Sequence, residues 1–382
     1  MTYPTKKLGE VAEVIMGQSP PSSSYNEQGK GLPFFQGKAE FGEIYPAPVK
    51  YCSSPSRIAE ANDVLISVRA PVGNINIARE KSCVGRGLGA LRAKKNILNQ
   101  MFLFYFMKKN ENNWSRLLTG STFSAIKGSS LKNFGIPLPP LEIQKQIVER
   151  LDKIVEAQKL NDDLIQKADE LFQSLLHKEL NPVGKDWDIK KLSEIGEIVT
   201  GNTPSTKNGD YWNGEFLWAT PTDIKENTFI LTDTPKKLSH EGYEKTRPVP
   251  QNAILVTCIA SIGKMAIAGK EMATNQQINS IVCNKDNDPL FIFFSLQKDK
   301  KKLISLGKTT AVPIINKSEF GRIKIFLPPL ETQKQIVAKL SAVQDYKKQL
   351  LEQKMKFKEL FDSALAESMT SEKSRKSSEF LI

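Results

Sequence analysis

Histidine is nearly missing from this chain: His177 and His240 are the only two among 382 residues. Acid–base and nucleophile-activating schemes built on imidazole are therefore poorly supplied. The four cysteines (Cys52, Cys83, Cys258 and Cys283) are scattered without a CxxC pair. That pattern lacks zinc-ligand spacing and fits reduced thiols in a cytoplasmic protein. No apolar run reaches the length of about eighteen residues that would suggest a membrane span. The opening MTYPTKKLGEVAEV lacks the apolar core of a secretion signal. A GxxxxGK[ST] phosphate loop is also missing. NPVG at 181–184 lacks the aromatic residue of an adenine-methylating NPPY-type motif. GRGLG at 85–89 has no suitable helix after it and reads as a tight turn. Gly263-Lys264 resembles a phosphate-loop fragment, but its counterpart Gly73-Asn74 fits a hairpin turn better. No metal, cofactor or catalytic residue is expected.

What is present in excess is positive charge, +12 in total. It is uneven: residues 1–140 hold 18 Lys and Arg against 9 Asp and Glu, and 181–329 hold 20 against 16. The intervening 141–180 reverse the sign, with 6 against 9. Basic modules can bind nucleic acid through phosphate contacts and counterion release, or can simply be well solvated. Hydrophobic residues make up 40%, enough for sizeable cores in a chain long enough for two or three domains.

The chain repeats itself. KLGEVAEVIMGQSPP (7–21) returns as KLSEIGEIVTGNTPS (191–205), and NDVLISVRAPVGNINIA (62–78) as NAILVTCIASIGKMAIA (252–268). LPPLEIQKQIV (138–148) returns as LPPLETQKQIV (327–337), and DELFQSLL (169–176) as KELFDSAL (358–365). Such a unit is far longer than a solenoid repeat and implies two domain-sized modules.

Each copy changes texture once. Residues 1–137 and 186–326 alternate short apolar runs with Gly, Pro, Asn and Ser. VLISVR-APVGN-INIA and ILVTCI-ASIGK-MAIA read as strand–turn–strand, while 102–110 and 290–304 read as helices. The Pro-Pro pair then ends the extended segment. Pro140 and Pro329 sit near a first helical position, with Glu142 and Glu331 in the first turn. No Pro or Gly follows within 141–180 or 330–382. Heptads over Ile147, Leu151, Ile154, Gln158, Asn161, Ile165, Ala168, Phe172 and Leu175 predict a coiled-coil seam. Ile336, Leu340, Val343, Lys347, Leu350, Lys354, Phe357, Phe361 and Ala364 give its match. The polar seam positions either fix register or lie at a wet edge. The expected fold class is α+β: two similar, mostly β or mixed globular modules (1–137 and 186–326). Two long helices (138–181 and 327–369), each roughly 60 Å long, separate them and pack as an antiparallel coiled coil with approximate two-fold symmetry. Residues 370–382 are expected to fray.

A duplicated, basic object suits a two-fold partner, and duplex DNA has local two-fold symmetry. The motif LPPLExQKQIV, present twice and each time opening a long helix after a module ending in FGIPLPPL or IKIFLPPL, resembles the DNA specificity (S) subunit of type I restriction-modification systems. The resemblance covers nearly the whole chain. It implies a subunit without catalytic activity that recognises a bipartite asymmetric site in double-stranded DNA. It further implies two docked modification subunits, which methylate adenine, and restriction subunits for ATP-dependent cleavage. The helices would set the gap between half-sites. The alternative from another class is a coiled-coil scaffold whose end modules bind proteins.

Recognition modules vary widely in that family, so no base contact is carried over by motif. Chemistry alone nominates the polar positions after Gly17 and Gly201: Gln18 and Ser22, then Asn202, Thr203 and Lys207, together with Gln276 and Gln277. Candidate phosphate anchors are Lys38, Arg69, Arg86, Lys127 and Lys132, with Lys264 and Lys317. Hydration or turn-capping is the plain alternative for each. Trp212 and Trp218 read as core. For partner docking the repeated polar residues Gln144, Lys145, Gln146, Gln333, Lys334 and Gln335 are nominated. Helix solvation alone does not predict that surface residues match between copies.

Overall fold

The computed structural model describes residues 3–119, 125–225, 228–307 and 312–368. The expected fraying of 370–382 lies outside these described residues. The chain divides into two compact units, Met1–Asp163 with Glu352–Ile382, and Leu164–Leu351. Each mixes helix and sheet, as an α+β fold requires.

In the first unit, β1 (Ala12–Met16), β2 (Val64–Ser67), β3 (Ile75–Ile77), β4 (Ser82–Val84) and β5 (Leu88–Ala93) are short. β1, β5, β2 and β3 form one antiparallel sheet in that order, with Ala90 opposite both Ile15 and Leu65. The run VLIS is buried throughout, as a strand covered on both faces must be. Gly73 closes the β2–β3 hairpin at φ 94°, where a Cβ would meet the Glu111 carbonyl at 2.8 Å. β4 belongs to a second sheet, running parallel to Leu32–Phe35. Helix α1 (Gln100–Lys109) is capped by Asn99, whose side chain accepts from the Met101 and Phe102 amides. Phe102 to Met107 are all buried, so α1 is enclosed on every side. One of its covers is α2 (Leu141–Glu179).

The first part of α2 buries Ile147, Val148, Leu151 and Ile154 in the same core as Ala364 and Leu365. Leu151 is wholly enclosed; burying a leucine contributes roughly 1.5–3 kcal/mol. Phe361 lies edge-on to Tyr105 at 6.0 Å, and the Tyr105 hydroxyl donates to Asp152 at 2.5 Å.

The second unit repeats this plan with β6 (Gly196–Thr200), β7 (Ile254–Thr257), β8 (Met265–Ala268), β9 (Ala273–Thr274) and β10 (Ile278–Cys283). The sheet order is β6, β10, β7, β8, extended by Ile230–Leu231. β9 runs parallel to Trp212–Ala219 in a second sheet. Helix α3 (Pro289–Lys298) starts on Pro289 after the cap Asp288. Helix α4 (Leu330–Ser368) equals α2 at 39 residues. Phe172 of α2 meets Phe294 of α3 edge-on at 5.8 Å, the counterpart of Phe361 on Tyr105. Trp218 is core at 5% exposure and Trp212, half-buried, stands against it.

Within each unit the two long helices run antiparallel, as expected. In the first, Lys354 pairs with Asp162 at 2.8 Å and Glu367 with Arg150 at 3.8 Å. In the second, Lys347 pairs with Asp169 at 2.5 Å and Lys339 with Glu179 at 3.0 Å. Numbers rise along α2 as they fall along α4. The polar seam therefore splits in character. Asn161 is buried at 3% exposure, whereas Lys347 and Lys354 leave the seam to reach carboxylates at its edge. No helix among the described residues is long and apolar enough to cross a membrane.

Candidate nucleic-acid interface

The antiparallel sheet of the first unit brings three chain segments to one end. Gly17 and Gln18, just past β1, donate their amides to the Leu88 and Val84 carbonyls at 2.9 and 3.0 Å. Val68, just past β2, donates to Gly87 at 2.8 Å, and Ile126 donates to Val68 at 2.9 Å. Gln18, Arg69, Arg86 and Lys127 therefore emerge together, all exposed. Lys38 joins them because Gly85 donates to Phe35 at 2.8 Å and Gly87 packs on Gln36. Ser22 is exposed four residues beyond Gln18, at the start of a short turn. Lys132 is not brought in. It packs beside Gly9, in the helical turn that precedes β1, at the far end of that strand.

The second unit builds the same end with other residues. Asn202 donates its amide to Thr274 at 2.9 Å, and Gly201 donates to Ile278 at 3.2 Å. The Thr203 hydroxyl donates to Gln276 Oε1 at 2.5 Å. Gln277 is half-buried, its Oε1 accepting from Asn275 Nδ2 at 2.9 Å and its amide donating to Asn275 Oδ1 at 3.1 Å. Those bonds make Gln277 a turn-locking residue and leave Gln276 as the outward one. Ile315 donates to Cys258 at 2.9 Å, which places Lys317 nearby, exposed. Lys207 is exposed in the loop after Thr203. Lys264 is half-buried, its ammonium donating to the Pro221 carbonyl at 3.3 Å, so its charge is partly committed within the fold.

Two basic residues that sequence reasoning missed join this end. Asn202 Nδ2 donates to the Lys245 carbonyl at 2.7 Å, and Arg247 Nη1 donates to the Thr200 carbonyl at 3.1 Å. Both are exposed. Their segment has no marked counterpart in the first copy, so the repeat offered no signal for them.

The docking expectation needs a correction at two positions. Gln144 and Gln333 are buried, at 0% and 1% exposure. Gln144 Oε1 accepts from the Asn99 amide at 2.7 Å, while Nε2 donates to the Ile97 and Pro139 carbonyls at 3.0 and 2.8 Å. Gln333 accepts from the Asp288 amide at 2.9 Å and donates to Pro328 at 2.9 Å. Each amide ties the cap of α1 or α3 to the start of its long helix. It repeats because the joint repeats, and it is out of a partner's reach. Lys145, Gln146, Lys334 and Gln335 stay exposed. Gln146 lines a shallow groove of ≈ 390 Å³ with Glu149, Arg150, Lys153, Ile154 and Leu360.

Among the described residues no cluster of His, Cys, Asp or Glu could hold a metal ion. What the two sheet ends offer is hydrogen-bond donors, amides and cations on fixed backbone, which suits recognition.

Comparison with known proteins gives a consistent result. A family model described as "Type I restriction modification DNA specificity domain" matches twice, over residues 2–170 and 184–356. The putative type I restriction enzyme MjaX specificity subunit of Methanocaldococcus jannaschii is 47% identical over 167 residues. That match covers 43% of this chain and only 39% of the relative's own length. The type I restriction enzyme MjaVIII specificity subunit of the same organism is 24% identical over 390 residues, covering 94% of this chain and 89% of that one. The crystal structure of a type I restriction-modification system S subunit from M. genitalium shares the fold, with a TM-score of 0.61 at 15% identity, covering 97% of each chain.

Proposed function

We infer the function from one premise: the chain belongs to the family of the type I restriction modification DNA specificity domain. It is the sequence-choosing subunit of such a system and performs no chemistry itself. Modules 1–137 and 186–326 each read one half of a bipartite asymmetric site in double-stranded DNA. The helices within 138–181 and 327–369 fix the gap. Two modification subunits dock on the chain, using the exposed Lys145 and Gln146, and Lys334 and Gln335, at the two helix starts. Restriction subunits join for cleavage, and the assembly works in the cytoplasm.

The observation that carries this reading is the pair of equivalent sheet ends. The same backbone bonds hold both, yet the side chains they present differ: Gln18, Arg69 and Arg86 in one, Thr203 and Gln276 in the other. A constant frame with a variable tip is what two different half-sites require.

The test is a titration of the full chain with its modification subunits against duplex DNA at several salt concentrations. Affinity is expected to fall linearly on a log–log plot, by a slope of about 0.9 per neutralised phosphate. Binding that is absent or indifferent to salt would overturn the reading in favour of a protein-binding scaffold. Methyl transfer or cleavage by the isolated chain would overturn the recognition-only role.

A further inference from the structure

The turns before β5 and β10 occupy the same place in their units. Gln18 donates its amide to Val84, two residues before Arg86, and Asn202 donates to Thr274, two residues before Gln276. The strands that follow pair alike, Gly89 opposite Met16 and Asn279 opposite Thr200. Arg86 and Gln276 are thus structural counterparts.

Each turn sends a single side chain outward. In the first unit the neighbours of Arg86 are glycines on packed backbone. A Cβ at Gly87 would lie 2.2 Å from the Gln36 carbonyl oxygen, and one at Gly85 would lie 3.1 Å from Phe34. In the second unit the neighbours are Asn275, 7% exposed, and Gln277, and these two bond to each other. Arg86 and Gln276 are exposed.

We propose that these two residues are the base readers of their turns, Arg86 taking a guanine and Gln276 an adenine in the major groove. The assignment rests on the DNA-recognition reading above and adds which residue reads which base. It moves Arg86 from phosphate anchor to reader. Arginine offers a fork of donors and no acceptor, which matches guanine O6 and N7; glutamine offers an N–H donor beside an acceptor, which matches adenine N7 and N6. No acidic group among the described residues pairs with Arg86. Gln276 Oε1 accepts one bond from Thr203, which sets the amide plane and leaves a lone pair and both N–H groups open. Thr203 is accordingly a positioning residue. A phosphate contact needs only a donor, whereas arginine and glutamine at one shared position carry the two hydrogen-bond patterns that fit guanine and adenine, so the exchange suits base reading.

The experiment is enrichment of bound duplexes from a random pool by the full chain with its modification subunits, comparing wild type with Arg86→Gln and Gln276→Arg. Arg86→Gln is expected to turn one G·C pair into A·T in one half-site, and Gln276→Arg to do the reverse in the other. Each exchange should shift preference roughly 10- to 100-fold at that pair. Thr203→Val should lower discrimination at the Gln276 base pair alone, and Arg86→Lys should retain affinity while losing sharpness at its guanine. Unchanged enriched sequences, or uniform weakening across all sequences, would overturn the assignment while leaving the recognition role intact. No enriched sequence for the wild type would instead sink that role. A thermal midpoint well below that of the wild type identifies any variant whose loss reflects misfolding, and the Thr203→Val arm then decides for the second unit and Arg86→Lys for the first.

Discussion

The buried amide of Gln144 serves three backbone groups: the Asn99 amide and the Ile97 and Pro139 carbonyls. Gln144→Leu removes all three bonds and leaves the buried Pro139 carbonyl unpaired, and is expected to cost about 1–3 kcal/mol in urea unfolding, with Gln333→Leu similar. Lys145→Ala and Lys334→Ala should change stability by less than about 0.5 kcal/mol. The same pair of measurements separates joint residues from docking residues. Burial also governs the thiols. It pushes Cys258 up to about 11 and, as the larger cause beside Asp288, Cys283 to about 12. Cys83, buried next to Cys52, is likewise raised to about 12. At pH 8 a thiol of pKa about 11 is ~0.1% thiolate, against about a quarter for a free one. Labelling of Cys83 and Cys258 by a chromogenic disulfide reagent is therefore expected to be at least ~100-fold slower in the folded protein than in urea; comparable rates would refute their burial. The place of Gln144 was legible in spacing, since it precedes Ile147, Val148 and Leu151 by three, four and seven positions. Its polarity disguised it, because sequence alone gives no hint of three waiting backbone partners.

The long helices hold each other through an edge ladder as well as a seam. Asp162 and Asp169 stand one heptad apart on α2, and Lys354 and Lys347 answer them on α4. Lys354→Glu is expected to cost less than about 1 kcal/mol, and adding Asp162→Lys to restore most of it. A double-mutant cycle should show a coupling of about 0.2–1 kcal/mol that shrinks with salt. The Lys347–Asp169 pair, with the lysine side chain 18% exposed, should lie at the upper end. Coupling that ignores salt would refute an electrostatic ladder. The helices themselves were plain from the paired prolines, the Gly-free and Pro-free runs and the heptads, and so were the β2–β3 and β7–β8 hairpins. The short strands were less so. Two- and three-residue strands carry almost no period, and partners such as Phe34 and Cys83 lie far apart in sequence. Which polar seam residue is buried and which escapes to the edge depends on the carboxylates opposite, which the pattern of one helix does not contain.

For the assembled protein the gap between half-sites follows helix length if the proposed role holds. Removing one heptad from both α2 and α4 takes out about 10 Å of helix, the rise of about three base pairs. Methylation-motif mapping should then show a gap shorter by about that amount, and an unchanged gap would refute the spacer role. Duplication was visible in the sequence from the outset, because four landmarks recur in order. The equivalence of Arg86 and Gln276 emerged only when shared backbone bonds located the two turns, since nothing else in VGRGL resembles TNQQI.

The first unit is closed by residues from both halves of the chain: Ala364 and Leu365 complete a core that also contains Leu8 and Val11. The second unit is one contiguous segment, Leu164–Leu351. The core of the first unit therefore cannot be completed until the last helix has been synthesised, whereas every residue of the second unit lies in one continuous stretch.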